Sequence, residues 1–145
     1  DLSLGRAVGI GLNAQELARN RQLTEWLRQD LNQDPGLHFA DETFDFVVNV
    51  VSVDYLVLPL QVFQEIRRVL RPGGLAIMSF SNRFFATKAI KLWLEIGERQ
   101  RCQVVSWYFK FAGFHEIHAQ ELSNGRGDPL YVVQGRRPVP HHTEL

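Results

Sequence analysis

Few side chains in this sequence have the types and spacing that chemistry at a site requires. His115 and His118 lie three residues apart in a segment with strand character. Side chains three apart in a strand point to opposite faces, so the two imidazoles are wrongly placed to bind one metal ion together. Cys102 is the only cysteine, and the sequence shows no base that would activate it as a nucleophile. The sequence therefore predicts no metal site and an inert thiol.

The elements that must position any site are clearest between Thr43 and Phe80. Phe44–Val51 is nearly all apolar, which is typical of a strand covered on both faces in a parallel sheet. Apolar residues then recur at helical spacing from Leu60 to Leu70, and Pro72-Gly73-Gly74 predicts the end of that helix. Leu75–Phe80 follows as a second buried strand. Strand, helix and strand together predict one crossover unit of a parallel sheet.

The rest of the chain continues the alternation of strands and helices. The further predicted elements are a strand at Arg6–Ile10, a helix at Ala14–Asn20 capped by Asn13, a short strand ending near Gln29–Asp30, helices at Phe84–Ile96 and Gln103–Ala112, and strands at Phe114–Leu122 and Leu130–Gly135. In the last helix, we expect the aromatic side chains of Trp107, Tyr108 and Phe111 to pack on the sheet. This order predicts a doubly wound, mostly parallel α/β sheet with an antiparallel terminal strand pair.

Composition limits the class of protein and its partners. Hydrophobic residues make up 45% of the 145 residues, and 16 basic side chains balance 16 acidic ones. This balance gives no argument for a nucleic-acid partner. No apolar run reaches the roughly 18 to 20 residues that span a bilayer, so no membrane association is predicted. A single cysteine fits a reducing intracellular compartment, and both cytoplasm and plastid are consistent with it.

Three segments carry a resemblance to one family. EIRRVLRPGGLAIMSFSN (Glu65–Asn82) resembles the E-x-x-R-V-L-K-P-G-G segment of type 11 methyltransferases. FDFVVNVVSVDYL (Phe44–Leu56) resembles their central strand and the loop behind it, and QDLN (Gln29–Asn32) resembles their acid-containing turn. From about Gly5 to about Arg137, the chain is similar to class I S-adenosylmethionine-dependent methyltransferases, which implies a Rossmann-like sheet and S-adenosylmethionine as cofactor.

The resemblance implies specific cofactor contacts. Asp30 would accept a hydrogen bond from the adenine amino group, with the Leu31 backbone N–H beside the ring. Asn49 and Val50 follow the central strand, where the family contacts adenine and the sulfonium side. A solvated turn residue is the alternative interpretation of Asp30.

The family's ribose-binding acid is missing from its usual position. That position falls on Gly11, and Asn13 or Glu16 is the candidate substitute. Without a ligand role, Gly11 is typical of a tight turn. Asp54 and Tyr55 lie in the loop where acceptors approach, or else they cap and pack the following helix. No residue is predicted to act as the catalytic base.

The family's first strand and its glycine-rich turn have no counterpart before Arg6. We therefore expect a partial methyltransferase-like domain at residues 1–137, lacking its amino-terminal strand, and a flexible tail at 138–145. The predicted function is methyl transfer to a small-molecule acceptor. The alternatives are a non-catalytic binding or scaffold protein and, least favoured without a G-x-G-x-x-G turn, a nicotinamide-dependent oxidoreductase. Oligomeric state is left open.

Overall fold

The computed structural model describes residues 5–50, 53–81, 91–122 and 125–140. The chain divides into two compact units, Asp1–Pro35 and Gly36–Leu145. No helix among the described residues is long and apolar enough to cross a membrane.

The amino-terminal unit contains β1 (Val8–Gly11), α1 (Ala14–Arg19) and β2 (Glu25–Arg28). The two strands are parallel, with Gly11 opposite Arg28. Helix α1 begins where predicted because the Asn13 side-chain oxygen accepts hydrogen bonds from two backbone N–H groups of the first turn, at 3.0 and 3.2 Å. The predicted strand, capped helix and strand are thus confirmed in order.

The second unit is built on a four-stranded sheet in the order β3-β4-β6-β5. Its elements are β3 (Phe44–Val50), a 3₁₀ turn (Val53–Tyr55), α2 (Pro59–Val69), β4 (Leu70–Ser81), α3 (Lys91–Glu95), α4 (Glu98–Phe111), β5 (His115–Leu122) and β6 (Leu130–Arg136). Strands β3 and β4 are parallel, and β6 is antiparallel to both β4 and β5. The predicted α/β class, crossover unit and antiparallel terminal pair match this arrangement.

The core of this unit lies between one face of the sheet and helices α2 and α4. The residues that contribute to it are fully or almost fully buried: Val62, Phe63, Ile66, Val69, Ala76, Met78, Val105, Phe109 and Val133. The Phe63 ring packs edge-on against Phe109, with ring centroids 4.9 Å apart. Phe109 in turn contacts Phe114 at 5.0 Å. These contacts join α2 to α4, and α4 to the residue that precedes β5.

Strand β4 begins earlier than the sequence predicts. Leu75 was the predicted start, but the strand begins at Leu70 and runs through the Pro-Gly-Gly segment. The Gly73 N–H donates to the Arg137 carbonyl at 2.8 Å, and the Arg137 N–H donates to the Gly74 carbonyl at 2.9 Å. Gly73 has a φ of +82°, and a Cβ at Gly74 would lie 2.8 Å from a backbone oxygen. The glycines therefore permit an irregular strand start instead of a turn that separates helix from strand.

Two predicted sets of inward side chains need correction. Leu60 in α2 is exposed, and so are Trp107 and Phe111 in α4. The residues of α4 that face the sheet are instead Val105 and Phe109. Trp107 and Phe111 each follow one of them by two positions, and residues two apart lie on opposite sides of a helix. The helix also begins at Glu98, before the predicted start.

Strand β3 is not covered on both faces as predicted. Phe46, Val48 and Val50 are 63%, 57% and 62% exposed. In the register with β4, these three residues share a face with Leu75, Ile77 and Ser79, and the opposite face packs on the helices. The prediction of a doubly covered strand is therefore wrong for one face.

Part of the predicted helix at Phe84–Ile96 lies outside the described residues. The structure describes α3 at Lys91–Glu95, where Trp93 is buried as predicted. Residues 84–90 and 141–145, the latter within the predicted tail, are among those that it does not describe.

Candidate functional site

The candidate site in the amino-terminal unit lies where β1 and β2 end. Parallel strands end at the same edge of a sheet, which is the edge where α/β folds bind ligands. The Gln29 N–H donates to the Gly11 carbonyl at 3.0 Å, and the Arg28 Nε donates to the Leu12 carbonyl at 3.1 Å. These bonds hold the two strand ends together, so the residues that follow them, including Asn13 and the Asp30 turn, lie at one edge.

Asp30 is held in a tight hydrogen-bonded turn. Its side-chain oxygen accepts from the Asn32 N–H at 2.9 Å. Its backbone carbonyl accepts from the N–H groups of Gln33 and Asp34, at 3.1 and 2.8 Å. The residue as a whole is half-buried, and the hydrogen bond from Asn32 orients its carboxylate. A polar ligand at this strand end would meet an acceptor that is already positioned.

Gln29 is a positioning residue that the sequence analysis did not single out. Its side chain is buried, and its Nε2 donates to the Asp34 carbonyl at 2.8 Å, which ties the far end of the turn to β2. Leu31 is half-buried in the same turn. The available signal was the position of Gln29 at the start of QDLN, directly before the acid.

Gly11 and Asn13 differ in how free they are to serve a ligand. The Asn13 side-chain oxygen already caps α1, so a ribose contact by that atom would compete with the cap. The Gly11 backbone is not in the left-handed region, and the nearest atoms to a Cβ there would be those of the Leu17 side chain, at 3.6–3.8 Å. These distances are ordinary van der Waals contacts, so the structure has room for a Cβ atom at residue 11. The tight-turn interpretation of Gly11 is therefore not supported.

The second group of predicted residues belongs to the other unit, at the carboxyl end of β3. Asn49 lies opposite Met78 of β4, and Val50 lies opposite Ser79. The Asn49 Oδ1 atom is buried, and it has no hydrogen-bond donor within the described ranges 5–50, 53–81, 91–122 and 125–140. An unpaired buried acceptor costs about 1–3 kcal/mol. The position therefore fits a ligand or water that donates a hydrogen bond.

The 3₁₀ turn after β3 contains both acceptor-side candidates. Tyr55 is half-buried, and Asp54 is the central residue of the turn. The turn is anchored by Val53, which is fully buried, and is followed by Leu56, which is also buried. The structure thus groups Asn49, Val50, Asp54 and Tyr55 along one chain segment, whereas Gly11, Asn13, Asp30 and Leu31 belong to the amino-terminal unit.

A polar pair that has no local sequence signal lies near the carboxyl end of β4. The Tyr131 hydroxyl donates to the Glu98 carboxylate, although the residues are 33 positions apart. This bond, together with burial, raises the pKa of Tyr131 to about 12. Burial first, and then the charges of Glu98 and Glu121, raise the pKa of the Cys102 thiol. A raised pKa disfavours the thiolate, which is the nucleophilic form of the side chain.

Metal chemistry has no candidate site in the part of the chain that the structure describes. No three His, Cys, Asp or Glu side chains within it come together as a set that could hold a metal ion.

Comparison with known proteins identifies the family. The sequence profile of a methyltransferase domain, type 11, matches residues 4–78, just over half of the chain. Methyltransferase phqN of Penicillium fellutanum is 35% identical over 75 residues, which cover 46% of this chain and 22% of that protein. The chain spans less than a third of the length of the curated relatives that it matches.

Solved structures agree on the fold. A methyltransferase of Haloferax volcanii, in complex with the Trm112 methyltransferase activator, superimposes with a TM-score of 0.71 at 18% identity, covering 97% of this chain and 75% of that one. An S-adenosylmethionine-dependent methyltransferase of Thermotoga maritima gives a TM-score of 0.65 at 20% identity, covering 94% and 84%. The profile match, the curated relative and the shared fold lead to one conclusion: the chain belongs to the class I S-adenosylmethionine-dependent methyltransferase domain family.

Proposed function

We propose that this chain forms part of an enzyme that transfers a methyl group from S-adenosylmethionine to a small-molecule acceptor. The observation that carries the proposal is the Asp30 turn, in which a half-buried carboxylate is positioned by backbone hydrogen bonds at the carboxyl end of β2. This is the edge at which α/β sheets bind ligands.

The residues present suit the adenosine portion of the cofactor. In the amino-terminal unit, Asp30 would accept from the adenine amino group, with the Leu31 N–H beside the ring. In the second unit, the buried Asn49 Oδ1 is an acceptor for a hydrogen-bond donor of a bound ligand. The sulfonium group of the cofactor supplies an already activated methyl carbon. The protein then needs chiefly to orient the acceptor and exclude water. We assign Asp54 and Tyr55 to the acceptor side, because they follow Asn49 and Val50 along the chain.

The fit is incomplete at the ribose and at the methionine portion. Gly11 offers no carboxylate to ribose hydroxyls, and the sequence contains no glycine-rich turn before β1. We propose that residues 1–137 form a partial methyltransferase-like domain in an intracellular protein, because the chain covers only 75% and 84% of the two solved methyltransferase structures that it resembles.

Calorimetric titration tests the proposal. S-adenosylhomocysteine and adenosine are titrated into this chain and into the chain extended at its amino end by the preceding coding sequence. We expect the extended chain to bind, and Asp30→Asn to weaken binding about tenfold through loss of a charged acceptor.

Asp34→Asn provides a matched control, because Asp34 lies in the same turn but is exposed. Equal losses in both variants would show that the turn, not the Asp30 carboxylate, matters. No binding by either chain would reject the cofactor assignment.

The second candidate is a non-catalytic binding or scaffold protein with the same fold. The absence of a side chain at Gly11 favours it, since the ribose contact is missing. The Haloferax volcanii neighbour, solved in complex with an activator protein, makes a protein partner a reasonable alternative ligand. A chain that binds neither adenosine nor S-adenosylhomocysteine, but remains folded, would favour this second function.

A further inference from the structure

The outward side of α4 carries two large aromatic side chains. Trp107 and Phe111 are 64% and 69% exposed, and their rings meet edge-on with centroids 6.1 Å apart. The core side of the helix is formed by other residues, among them Val105 and Phe109, so the aromatic pair points away from the sheet. The exposed residues of α4, which we call the α4 face, all belong to the second unit: Arg99, Gln100, Gln103, Trp107, Lys110 and Phe111.

The stability of the helix does not account for the residues on the α4 face. Aromatic residues are weaker helix formers than alanine, leucine or glutamine, so Trp107 and Phe111 do not favour the helix at exposed positions. Arg99 places a positive charge in the first turn, where the helix dipole favours a negative one. Only Lys110, in the last turn, suits the dipole. The arrangement is therefore better explained by a contact with another molecule.

The charge of the α4 face is entirely positive. It contains Arg99 and Lys110 and no acid, because the neighbouring Glu98 is half-buried and its carboxylate accepts from Tyr131. Across residues 5–50, 53–81, 91–122 and 125–140, neither of these cations forms an ion pair. The two charges lie about 16 Å apart along the helix. A ligand complementary to this face carries negative charge beside an apolar surface.

We propose that the α4 face binds an amphipathic helix of a partner protein, in which acidic side chains flank an apolar stripe. Trp107 and Phe111 contact the stripe, while Arg99 and Lys110 pair with acids near the two ends of a helix of about three turns. Tryptophan and arginine are among the residues that contribute most to binding at protein interfaces. The proposal does not rest on methyl transfer.

Two other ligands fit the α4 face less well. A second copy of this chain would bring its own Arg99 and Lys110 against the same two cations, and facing like charges are unfavourable. An anionic membrane is bound by helices with a broad apolar side and many cations, whereas this face has two of each.

Fluorescence anisotropy with a labelled synthetic peptide tests the proposal. The peptide is a helix of about 18 residues made of leucine, alanine and glutamate, because shorter isolated helices are only marginally stable in water. We expect saturable binding that weakens as salt is added. Trp107→Ala is expected to raise the dissociation constant at least about tenfold. Trp26→Ala is the matched control, since Trp26 is also exposed but lies in β2.

A reversal of charge tests the role of the two cations. A second peptide carries lysine in place of every glutamate, and the unmodified chain is expected not to bind it. The double variant Arg99→Glu with Lys110→Glu is expected to exchange this preference and to bind the basic peptide. Lys91→Glu, at an exposed lysine in α3, is the control that should change neither affinity. Circular dichroism checks that every variant remains folded.

Several results would overturn the proposal. These are the absence of saturable binding, equal binding of the acidic and basic peptides, and an affinity that Trp107→Ala leaves unchanged. A dimer in sedimentation velocity that Trp107→Ala dissociates would assign the face to a second copy instead. Binding to vesicles of phosphatidylcholine and phosphatidylserine that Trp107→Ala abolishes would assign it to a membrane.

Discussion

At Gly11, the position predicted to face the ribose, this chain offers no carboxylate. Gly11 is the last residue of β1 and lies at the candidate site. Its backbone φ is outside the left-handed region, so the backbone does not require glycine there. The space around it admits a Cβ at ordinary contact distance from Leu17. The lack of a carboxylate at this position is therefore a property of the residue type and not a requirement of the fold.

Replacing Gly11 with Asp is predicted to strengthen binding of adenosine. A carboxylate there would accept hydrogen bonds from ribose hydroxyls, and a charged acceptor contributes about 1.5–3 kcal/mol, or roughly tenfold or more in affinity. The measurement is titration of adenosine into whichever of the two chains binds S-adenosylhomocysteine. Gly11→Asn is the control of equal shape without charge, and an equal gain in both variants would contradict the ribose role.

Glu65 links α2 to the segment before β3. Its contacts predict that the stability of the fold decreases in acid. Its carboxylate accepts from the Arg68 Nε at 2.7 Å and from the Leu37 N–H at 2.9 Å. The hydrogen bond from Arg68, more than any other contact, lowers the pKa of Glu65 below its ordinary value. Because the pKa is lower in the folded state, ionised Glu65 stabilises the fold at pH values above its ordinary pKa near 4.5. This stabilisation is lost as the pH falls through the folded-state pKa.

We expect Glu65→Gln to lower the free energy of unfolding by roughly 1 kcal/mol at pH 7, and the difference to shrink on acidification. Urea unfolding from pH 7 to acid conditions measures it. Glu16→Gln, at an exposed glutamate in α1, is the control. A difference between wild type and Glu65→Gln that stays constant with pH would show that the ion pair does not cause it.

At the scale of elements, close approach of α4 to β6 depends on Gly135. A Cβ at this position would lie 2.7 Å from a ring carbon of Phe109, which is fully buried and contacts Phe63 and Phe114. A methyl group on residue 135 of β6 would fit beneath α4 only if this aromatic cluster moved.

Gly135→Ala is predicted to destabilise the protein by about 1–3 kcal/mol, the usual cost of overpacking a core. The midpoint of urea unfolding measures the loss. Gly97→Ala is the matched control, because a Cβ at Gly97 would meet no atom within 4 Å. If both variants lost the same free energy, the contact with Phe109 would not be the cause.

The carboxyl end of α2 is held by a residue far along the chain. The Arg137 Nη1 donates to the carbonyls of Arg67, Arg68 and Leu70, at 3.0, 3.3 and 2.5 Å. Carbonyls in the last turn of a helix lack partners within the helix, so a cation there satisfies them and suits the helix dipole. Arg137 thus fastens the end of β6 to the helix–strand junction that contains the family motif.

At the scale of the whole molecule, the two units should differ in stability. The amino-terminal unit has one pair of short strands, and all four residues of β2 are exposed. A two-stranded sheet has little stability of its own, whereas the four-stranded sheet packs against α2 and α4.

Hydrogen exchange is predicted to separate the two units. Amides in β1 and β2 should exchange faster than those in the centre of β4 and β6, by roughly a hundredfold or more, because local opening needs less free energy where little apolar surface is buried. Mass spectrometry of exchanged peptides measures the rates. Uniform protection in both sheets would show that the chain unfolds as one unit.

The sequence predicts some helix faces better than others, for a physical reason. In α2 the apolar residues form a single stripe, and Phe63, Ile66 and Val69 of that stripe are buried as predicted, although Leu60 at its amino end is exposed. In α4 aromatic residues occur on several sides, and the pattern does not choose among them. Contact with Phe63 and the space above Gly135 select Phe109.

The candidate site shows the same division. QDLN identified the Asp30 turn because a strand end, an acid and a following turn are neighbours in the chain. The Tyr131–Glu98 pair could not be found in this way, since its members are 33 positions apart and meet only when β6 packs beside α4. Whether Asp30 and Asn49 bind adenine stays a prediction.

The sequence by itself determined the order of strands and helices, the crossover unit and the family, because propensity, capping and motif spacing depend on residues close together in the chain. Only the tertiary structure decided that β4 continues through the two glycines, and that one face of β3 is exposed. Burial and backbone pairing depend on elements distant in sequence. Gly73 and Gly74 are held in the strand by Arg137, which no local pattern could reveal.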